Sequence, residues 1–142
     1  YTKILSIRRG SYEIKEATPG GSLSIETSLD MSLTKADNLS GCVAGLKNSL
    51  PQPTNKLKLK ASHFLEVFGI EEHEKIEDYK SNDLLMLSVN TSISVGKVVS
   101  IKNNELNLEL NIPVVSLKGD NVGIAKNIKG HWRLVGVGAV ID

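Results

Sequence analysis

Few residues in this sequence have the types and spacing that chemistry requires. Residues 41–47 (GCVAGLK) contain two glycines and a lysine, as phosphate-binding loops do. Such loops need four residues between the glycines and then Lys followed by Ser or Thr. Here three residues separate the glycines and Leu46 precedes Lys47, so we predict no nucleotide site. Residues 34–37 (TKAD) have the form of an element that pairs with guanine, but without a phosphate loop upstream we interpret them as a chance match.

Titratable side chains are also too scattered to predict catalysis. His63, His73 and His131 lie far apart along the chain and lack the spacing of metal ligands. Cys42 is the single cysteine, which rules out an internal disulfide and predicts a small buried side chain. No local pattern pairs a nucleophile with a general base. We therefore predict no catalytic residue, no metal ligand and no cofactor-binding residue, and no enzymatic activity for this chain alone.

Basic residues are concentrated in the last third of the chain, although the formal net charge is only +1. That balance argues against a protein whose whole surface binds nucleic acid. If neighbouring turns bring these side chains to one rim, they form an RNA-contact surface that holds phosphates. Aromatic residues make up 4% of the chain, so the contact would be to the RNA backbone. The alternative is that the lysines only confer solubility. The group comprises Lys97, Lys102, Lys118, Lys126, Lys129 and Arg133.

An acidic segment, residues 71–83, interrupts the pattern of the rest. Its charges predict an exposed, solvated loop in preference to a short helix, and the functional alternative is an acidic surface for a partner. The acidic side chains, set against Lys75 and Lys80, are Glu71, Glu72, Glu74, Glu77, Asp78 and Asp83.

Alternation of polar and apolar residues dominates the chain and predicts strands. Residues 105–112 (ELNLELNI) place four aliphatic side chains on one face and four polar ones on the other. The repeated spacing of about 8 to 12 residues between strands predicts an all-β barrel or sandwich. Further strands are predicted at residues 3–7, 22–27, 57–61, 84–89, 96–101, 122–125 and 132–141.

Turn residues and prolines divide these strands. Pro19, Gly20 and Gly21 have structural roles because they suit a type II turn, and residues 103–104 (NN) suit a tight hairpin. Turns are also predicted at residues 118–120 and 129–130. Pro113 is expected to end its strand, since proline cannot donate to a ladder.

The prolines at residues 51–53 predict a stiff connector between two domains. Residues 54–142 are long enough to bury a small core, whereas residues 1–50 are too short to close a barrel alone. The chain begins with Tyr1, so we expect it to be part of something longer.

The closing segment, residues 130–138 (GHWRLVGVG), is unusually apolar for a chain end and predicts a closing strand. Adjacent side chains of a strand face opposite ways. We therefore expect Trp132 in the core and Arg133 on the surface, free to contact a partner. Gly136 and Gly138 are expected to have structural roles in the same strand.

Several ordered motifs resemble the gamma subunit of archaeal and eukaryotic translation initiation factor 2. They occur in the family's order over nearly the whole chain. They are residues 6–8 (SIR), 15–21 (KEATPGG), 32–41 (SLTKADNLSG), 84–89 (LLMLSV) and 131–138 (HWRLVGVG).

The resemblance implies two β-barrel domains of the translation-factor type, with the first incomplete. Residues 1–50 would be the rear of the family's second domain, residues 51–53 a linker and residues 54–142 the third domain. GTP and Mg²⁺ would belong to a GTP-binding domain that this chain lacks. The alpha and beta subunits, initiator methionyl-tRNA and the small ribosomal subunit are the implied partners. A hairpin tip formed by Arg8, Arg9, Ser11 and Tyr12 is the predicted contact for the alpha subunit.

Two alternatives remain at this point. One is a free-standing β-barrel RNA-binding module that uses the basic group of the last third. The other is a divergent paralogue of a translational GTPase. The chain has no predicted membrane span or signal peptide, so a cytoplasmic location is expected.

Overall fold

The computed structural model describes residues 1–65 and 76–141, which form two compact units, Tyr1–Leu39 and Ser40–Asp142. The described residues contain nine strands and one short 3-10 helix, Met31–Asp37, so the all-β class is confirmed. No helix within residues 1–65 and 76–141 is long and apolar enough to cross a membrane. The strands are β1 Ile4–Arg9, β2 Tyr12–Ile14, β3 Ser24–Thr27, β4 Thr54–His63, β5 Leu84–Val89, β6 Ser92–Lys102, β7 Glu105–Val114, β8 Asn121–Ile128 and β9 His131–Val140.

The first unit is a three-stranded antiparallel sheet in the order β2-β1-β3. Ile7 at its centre pairs with Ile14 on one side and Ile25 on the other. The 3-10 helix that follows begins after Asp30, whose carboxylate accepts a hydrogen bond from the Ser32 amide at 2.7 Å. No residue of this unit is buried in the described part of the chain.

The second unit is a closed six-stranded barrel in the order β4-β7-β6-β5-β8-β9. The alternation seen in the sequence places every second side chain inside, as the buried residues Leu106, Leu108 and Leu110 of β7 show. Closure occurs where the first barrel strand pairs with the last, with Leu59 opposite Val140. Inward-facing Gly96 leaves room for the Leu110 and Leu87 side chains, because a β-carbon there would lie 2.9 and 3.1 Å from them.

Antiparallel pairing sends successive connections to opposite ends of the barrel. The His63 end holds the C-terminus of β4, the Asn103–Asn104 turn and the Lys129–Gly130 turn. The Thr54 end holds the start of β4, the β5–β6 turn at residues 90–91 and the connection at residues 115–120. The predicted Asn hairpin is confirmed, since Asn103 and Asn104 have φ of 50° and 64°.

Irregularities in three ladders of the barrel change which side chains face inward. The register shifts between Thr54 and Lys56, between Val98 and Ser100, and between Ile124 and Ala125. The prediction that Pro113 ends its strand is wrong, because β7 continues to Val114. The pairing of β7 with β4 passes from Glu109 directly to Val114, so the ladder between these two residues is irregular. Pro113 lies in that irregular stretch, where the ladder needs no backbone N–H from it.

Residues 40–53 belong to the compact unit of the barrel. The Ser92 hydroxyl donates a 2.7 Å hydrogen bond to the Gly41 carbonyl, which fixes the start of this segment. Cys42 is exposed, so the predicted burial of its thiol is wrong. Residues 42–45 lie outside regular structure and do not share the inward alternation of the strands.

Residues 71–75 of the predicted acidic loop, which include Glu71, Glu72, His73 and Glu74, lie outside the described residues. The remainder packs back on the barrel, where Ile76 and Tyr79 contact the core. Asp83 is partly buried, so the expectation of a fully solvated segment is wrong at this residue.

Candidate RNA and partner-binding surfaces

The basic residues predicted to contact RNA do not share one rim. Lys102 and Lys129 lie at the His63 end, whereas Lys118 lies in the connection at the Thr54 end. Because consecutive connections of an antiparallel barrel alternate between its ends, turn-borne lysines separated by one strand are held apart. The predicted convergence is therefore wrong for Lys118. Lys97 lies along the side of the barrel, opposite Glu109 of β7.

Lys126 is engaged inside the protein. Its ammonium lies 2.9 Å from the Asp83 carboxylate and 3.2 Å from the Asp78 carbonyl, and 5.8 Å from the Tyr79 ring centre. The Lys126 and Asp83 side chains are only 16% and 22% exposed. These contacts hold the segment before β5 against β8. Lys126 therefore stabilises the fold and is not free to bind phosphate.

Trp132 and Arg133 face opposite to the prediction. Trp132 is 38% exposed, while Arg133 is half-buried. Ile124 pairs with Gly136 but Ala125 pairs with Leu134, so Val135 is an extra residue and faces the core. That single insertion reverses the alternation for the residues before it. Trp132 as a core residue is therefore wrong, and Arg133 is less accessible than expected.

A small aromatic cluster lies at the His63 end. The His63 and Tyr79 rings stack with centres 3.9 Å apart, and His63 Nε2 lies 3.8 Å from the Asp78 carboxylate. Burial lowers the pKa of His63, nearby Asp78 opposes this, and Lys126 adds to the lowering. Burial raises the pKa of Tyr79 to about 12. Within the described residues, His63 Nδ1 and the Tyr79 hydroxyl are buried without a hydrogen-bond partner.

The predicted partner contact in the first unit lies at the β1–β2 turn. Gly10 has φ of 61° there, and Tyr12 is 77% exposed. Arg9 is partly used within the unit, because its guanidinium donates to the carbonyls of Thr18 and Gly20 at 3.3 Å each. This contact braces the bend at Pro19, Gly20 and Gly21. Arg8, Ser11 and Tyr12 therefore present the outward part of the predicted contact.

The sequence prediction missed three outward lysines on β4. Lys56, Lys58 and Lys60 alternate with the buried Leu57 and Leu59. The signal was present, because the same alternation that predicts the strand assigns these lysines to its outer face.

Comparison with known proteins decides the family. The family model described as "Initiation factor eIF2 gamma, C terminal" matches residues 55–140. The chain belongs to the eIF2 gamma family. That match covers the whole six-stranded barrel except its first residue, so the barrel is the family's C-terminal structure.

Similar relatives carry the name "Translation initiation factor 2 subunit gamma". The relative from Aeropyrum pernix is 42% identical over 141 residues, and that from Methanococcus maripaludis strain C6 is 41% identical over 140 residues. The relative from Methanopyrus kandleri is 39% identical over 140 residues. Each alignment covers 99% of this chain but 34% of the relative, so the chain spans about a third of the length of these eIF2 gamma relatives.

Proposed function

We propose that this chain is a non-catalytic binding and scaffolding part of the initiation factor 2 gamma subunit. The observation that carries the proposal is the alignment of 99% of the chain with proteins named as that subunit. Its described residues form a three-stranded sheet and a closed barrel, which offer surfaces for binding. GTP and Mg²⁺ would be held by the part of the relatives that this chain does not cover.

The proposed setting is the cytoplasmic complex of the gamma subunit with its alpha and beta partners. That complex would deliver initiator methionyl-tRNA to the small ribosomal subunit. Residues 1–50 would belong to the subunit's second domain and residues 54–142 to its third, with residues 51–53 between them.

The alpha partner is assigned to the β1–β2 turn. Support comes from the exposure of Tyr12 and of Arg8 in the same hairpin, where Tyr12 pairs with Arg9 and Arg8 pairs with Glu13. Arg9 contributes by shaping the neighbouring turn, since both of its hydrogen bonds stay within the unit.

A pull-down with the alpha subunit tests this assignment. We expect Arg8→Ala with Tyr12→Ala to abolish capture, because exposed aromatic and arginine side chains dominate binding energies at interfaces. Lys102→Ala, at the last residue of β6 in the barrel, is the control and should capture the alpha subunit normally. Equal capture of all three proteins would refute the contact, and loss with Lys102→Ala would indicate a different surface.

A second candidate function is RNA binding by the barrel. The exposed side chains of Lys97, Lys102 and Lys129 favour it. Lys126 is left out of this surface because it is paired with Asp83. Binding of transfer RNA that weakens steeply with salt would support it. Absence of binding by the 142-residue chain at low salt would argue against it.

A further inference from the structure

The outer face of β4, β7 and β6 carries an ordered array of charges. The central strand β7 pairs with β4 on one side and with β6 on the other. Each glutamate of β7 on this face consequently has a lysine directly opposite on both neighbouring strands. The three rows, called here the lysine face, are Lys56–Glu109–Lys97, Lys58–Asn107–Ser100 and Lys60–Glu105–Lys102.

This face holds more positive charge than the protein as a whole. Its five lysines and two glutamates give a net +3, whereas the whole chain has +1, so all remaining residues together carry −2. Neighbours on one face of a strand are about 6.8 Å apart, and adjacent strands about 4.8 Å. The lysines therefore form two parallel lines on either side of the glutamates.

The array is ordered and accessible. Lys58 forms an ion pair with Glu105 at 3.1 Å, with both side chains more than a third exposed. Each ammonium has three donors, so a lysine held by one carboxylate can still donate elsewhere. Exposed ion pairs add little to stability, so folding alone does not account for five lysines on one face.

The composition of the face distinguishes between kinds of partner. None of its nine positions carries an apolar or aromatic side chain. Protein interfaces have an apolar core, and bases bind by stacking on aromatic rings. A groove across the face is lined by Lys56, Leu57, Lys58, Val99, Asn107, Leu108 and Glu109, and of its three apolar side chains only Val99 is exposed. Lines of point charges without apolar groups suit a phosphodiester backbone.

We propose that the lysine face binds the sugar–phosphate backbone of RNA without reading its sequence. Lys56, Lys58 and Lys60 supply one line of contacts, and Lys97 and Lys102 supply the other. Between them, Glu105 pairs with the Lys58 ammonium at 3.1 Å. The inference rests on the proposed function in taking RNA as the natural polyanion.

Charge-neutral variants of the 142-residue chain test the proposal, with a fluorescent oligouridylate as the probe. We expect Lys56→Gln, Lys58→Gln and Lys60→Gln together to lower the slope of log Kd against log salt by about 2, since each single-strand phosphate contact contributes about 0.7. The control replaces Lys3, Lys15 and Lys35 of the first unit with Gln. It removes the same charge and should leave the slope nearly unchanged.

A second variant is expected to bind RNA more tightly, a change that unfolding of the protein would not produce. Glu105→Gln with Glu109→Gln removes the two negative charges and should tighten RNA binding. If the triple lysine variant changes binding no more than its control does, or if the glutamate variant weakens binding in a folded protein, the lysine face is refuted.

Two further outcomes separate this proposal from the ones before it. If the unmodified chain binds no RNA at low salt, both the lysine face and the barrel's RNA-binding function fail, while the alpha-subunit contact stands. If RNA binds but the triple lysine variant and its control have the same salt slope, only the proposal for the lysine face fails. Polyglutamate that competes as well as an equal charge of RNA would assign the face to an acidic protein and overturn the choice of RNA.

Discussion

A β-carbon built on Gly136 would lie 2.6 Å from the hydroxyl oxygen of Tyr79. The same atom would overlap the Ser62 carbonyl oxygen of the neighbouring strand. Gly136 therefore allows Tyr79 and β4 to approach β9 closely at the His63 end. Gly138 differs, because the nearest atoms to its β-carbon would be 3.3 to 3.4 Å away on the side chains of Leu59 and Ile124.

Gly136→Ala is expected to destabilise the barrel far more than Gly138→Ala. Forcing a methyl group against backbone costs about 1–3 kcal/mol or more, since β4 and β9 must separate. The side chains next to Gly138 can shift slightly, so that variant should lose less. The free energy of unfolding in urea measures both. Equal losses would contradict the close approach at Gly136.

Ser94→Ala is expected to lower the free energy of unfolding by about 1–3 kcal/mol, because it removes two hydrogen bonds to Ile112 that each contribute about 0.5–1.5 kcal/mol. Ser94 is the buried polar side chain of the described core. Its hydroxyl donates to the Ile112 carbonyl at 2.9 Å and accepts from the Ile112 amide at 3.1 Å. Ser88→Ala, at an exposed position of β5, is the matched control. A loss no larger than that of the control would refute this role.

Tyr79 should make stability depend on alkaline pH. Its pKa is raised from 10.0 to about 12 by burial, so the folded state retains a proton that the unfolded state loses. This contribution is complete below pH 10 and is lost as pH rises to about 12. Phenolate absorbance of the folded protein should show one tyrosine titrating late. Tyr79→Phe should abolish the effect.

At neutral pH, Tyr79→Phe should be neutral or stabilising. Among the described residues the Tyr79 hydroxyl has no hydrogen-bond partner, so its removal deletes an unpaired polar atom. A clear loss of stability would show that the hydroxyl has a favourable contact.

Lys126→Met should destabilise the barrel by about 1–3 kcal/mol at neutral pH, because Asp83 remains half-buried without its cation. Burial raises the pKa of Asp83, but hydrogen bonds from Lys126 and the Lys80 amide outweigh it and lower the pKa overall. The stability that Asp83 contributes is present above its unfolded pKa and is lost as pH falls through the lower folded value.

The double variant Lys126→Met with Asp83→Asn isolates this interaction. We expect its loss to be smaller than the sum of the single losses, because each single change already breaks the pair. Unfolding measured at neutral and acidic pH provides the comparison. Strict additivity at neutral pH would mean that the two groups do not stabilise each other.

Trp132 should report an exposed environment in fluorescence. It is the only tryptophan and is 38% exposed. We expect iodide to quench the native protein clearly, though less than the urea-unfolded chain. Strong protection from iodide would place Trp132 inside and contradict the bulge at Val135.

Local patterns predicted the strands well but not their irregularities. The 84–89 prediction coincides with β5, and the asparagines at 103 and 104 correctly predicted a turn. Alternation failed at Ile112, which was expected inside with Leu110 but is 55% exposed. Register shifts depend on how two or three strands fit together, so a single segment of sequence gives no sign of them.

The surface was harder to predict than the core. The basic group was assembled by sequence position, whereas the pairing of strands separates Lys118 from Lys102 and encloses Lys126 beside Asp83. Conversely, Lys56 and Lys97 are far apart in sequence and are aligned only because β7 lies between them. Long-range pairing, rather than residue type, decides which charges act together.

The pairing of Leu59 with Val140 also sets a time order for folding during synthesis. The five strands β4 to β8 are synthesised before β9. The gap between β4 and β8 is filled only when β9 leaves the ribosome. Contacts between residues so distant in sequence form slowly because a long loop must close first. Until β9 is made, two unpaired strand edges remain open to aggregation or to chaperones.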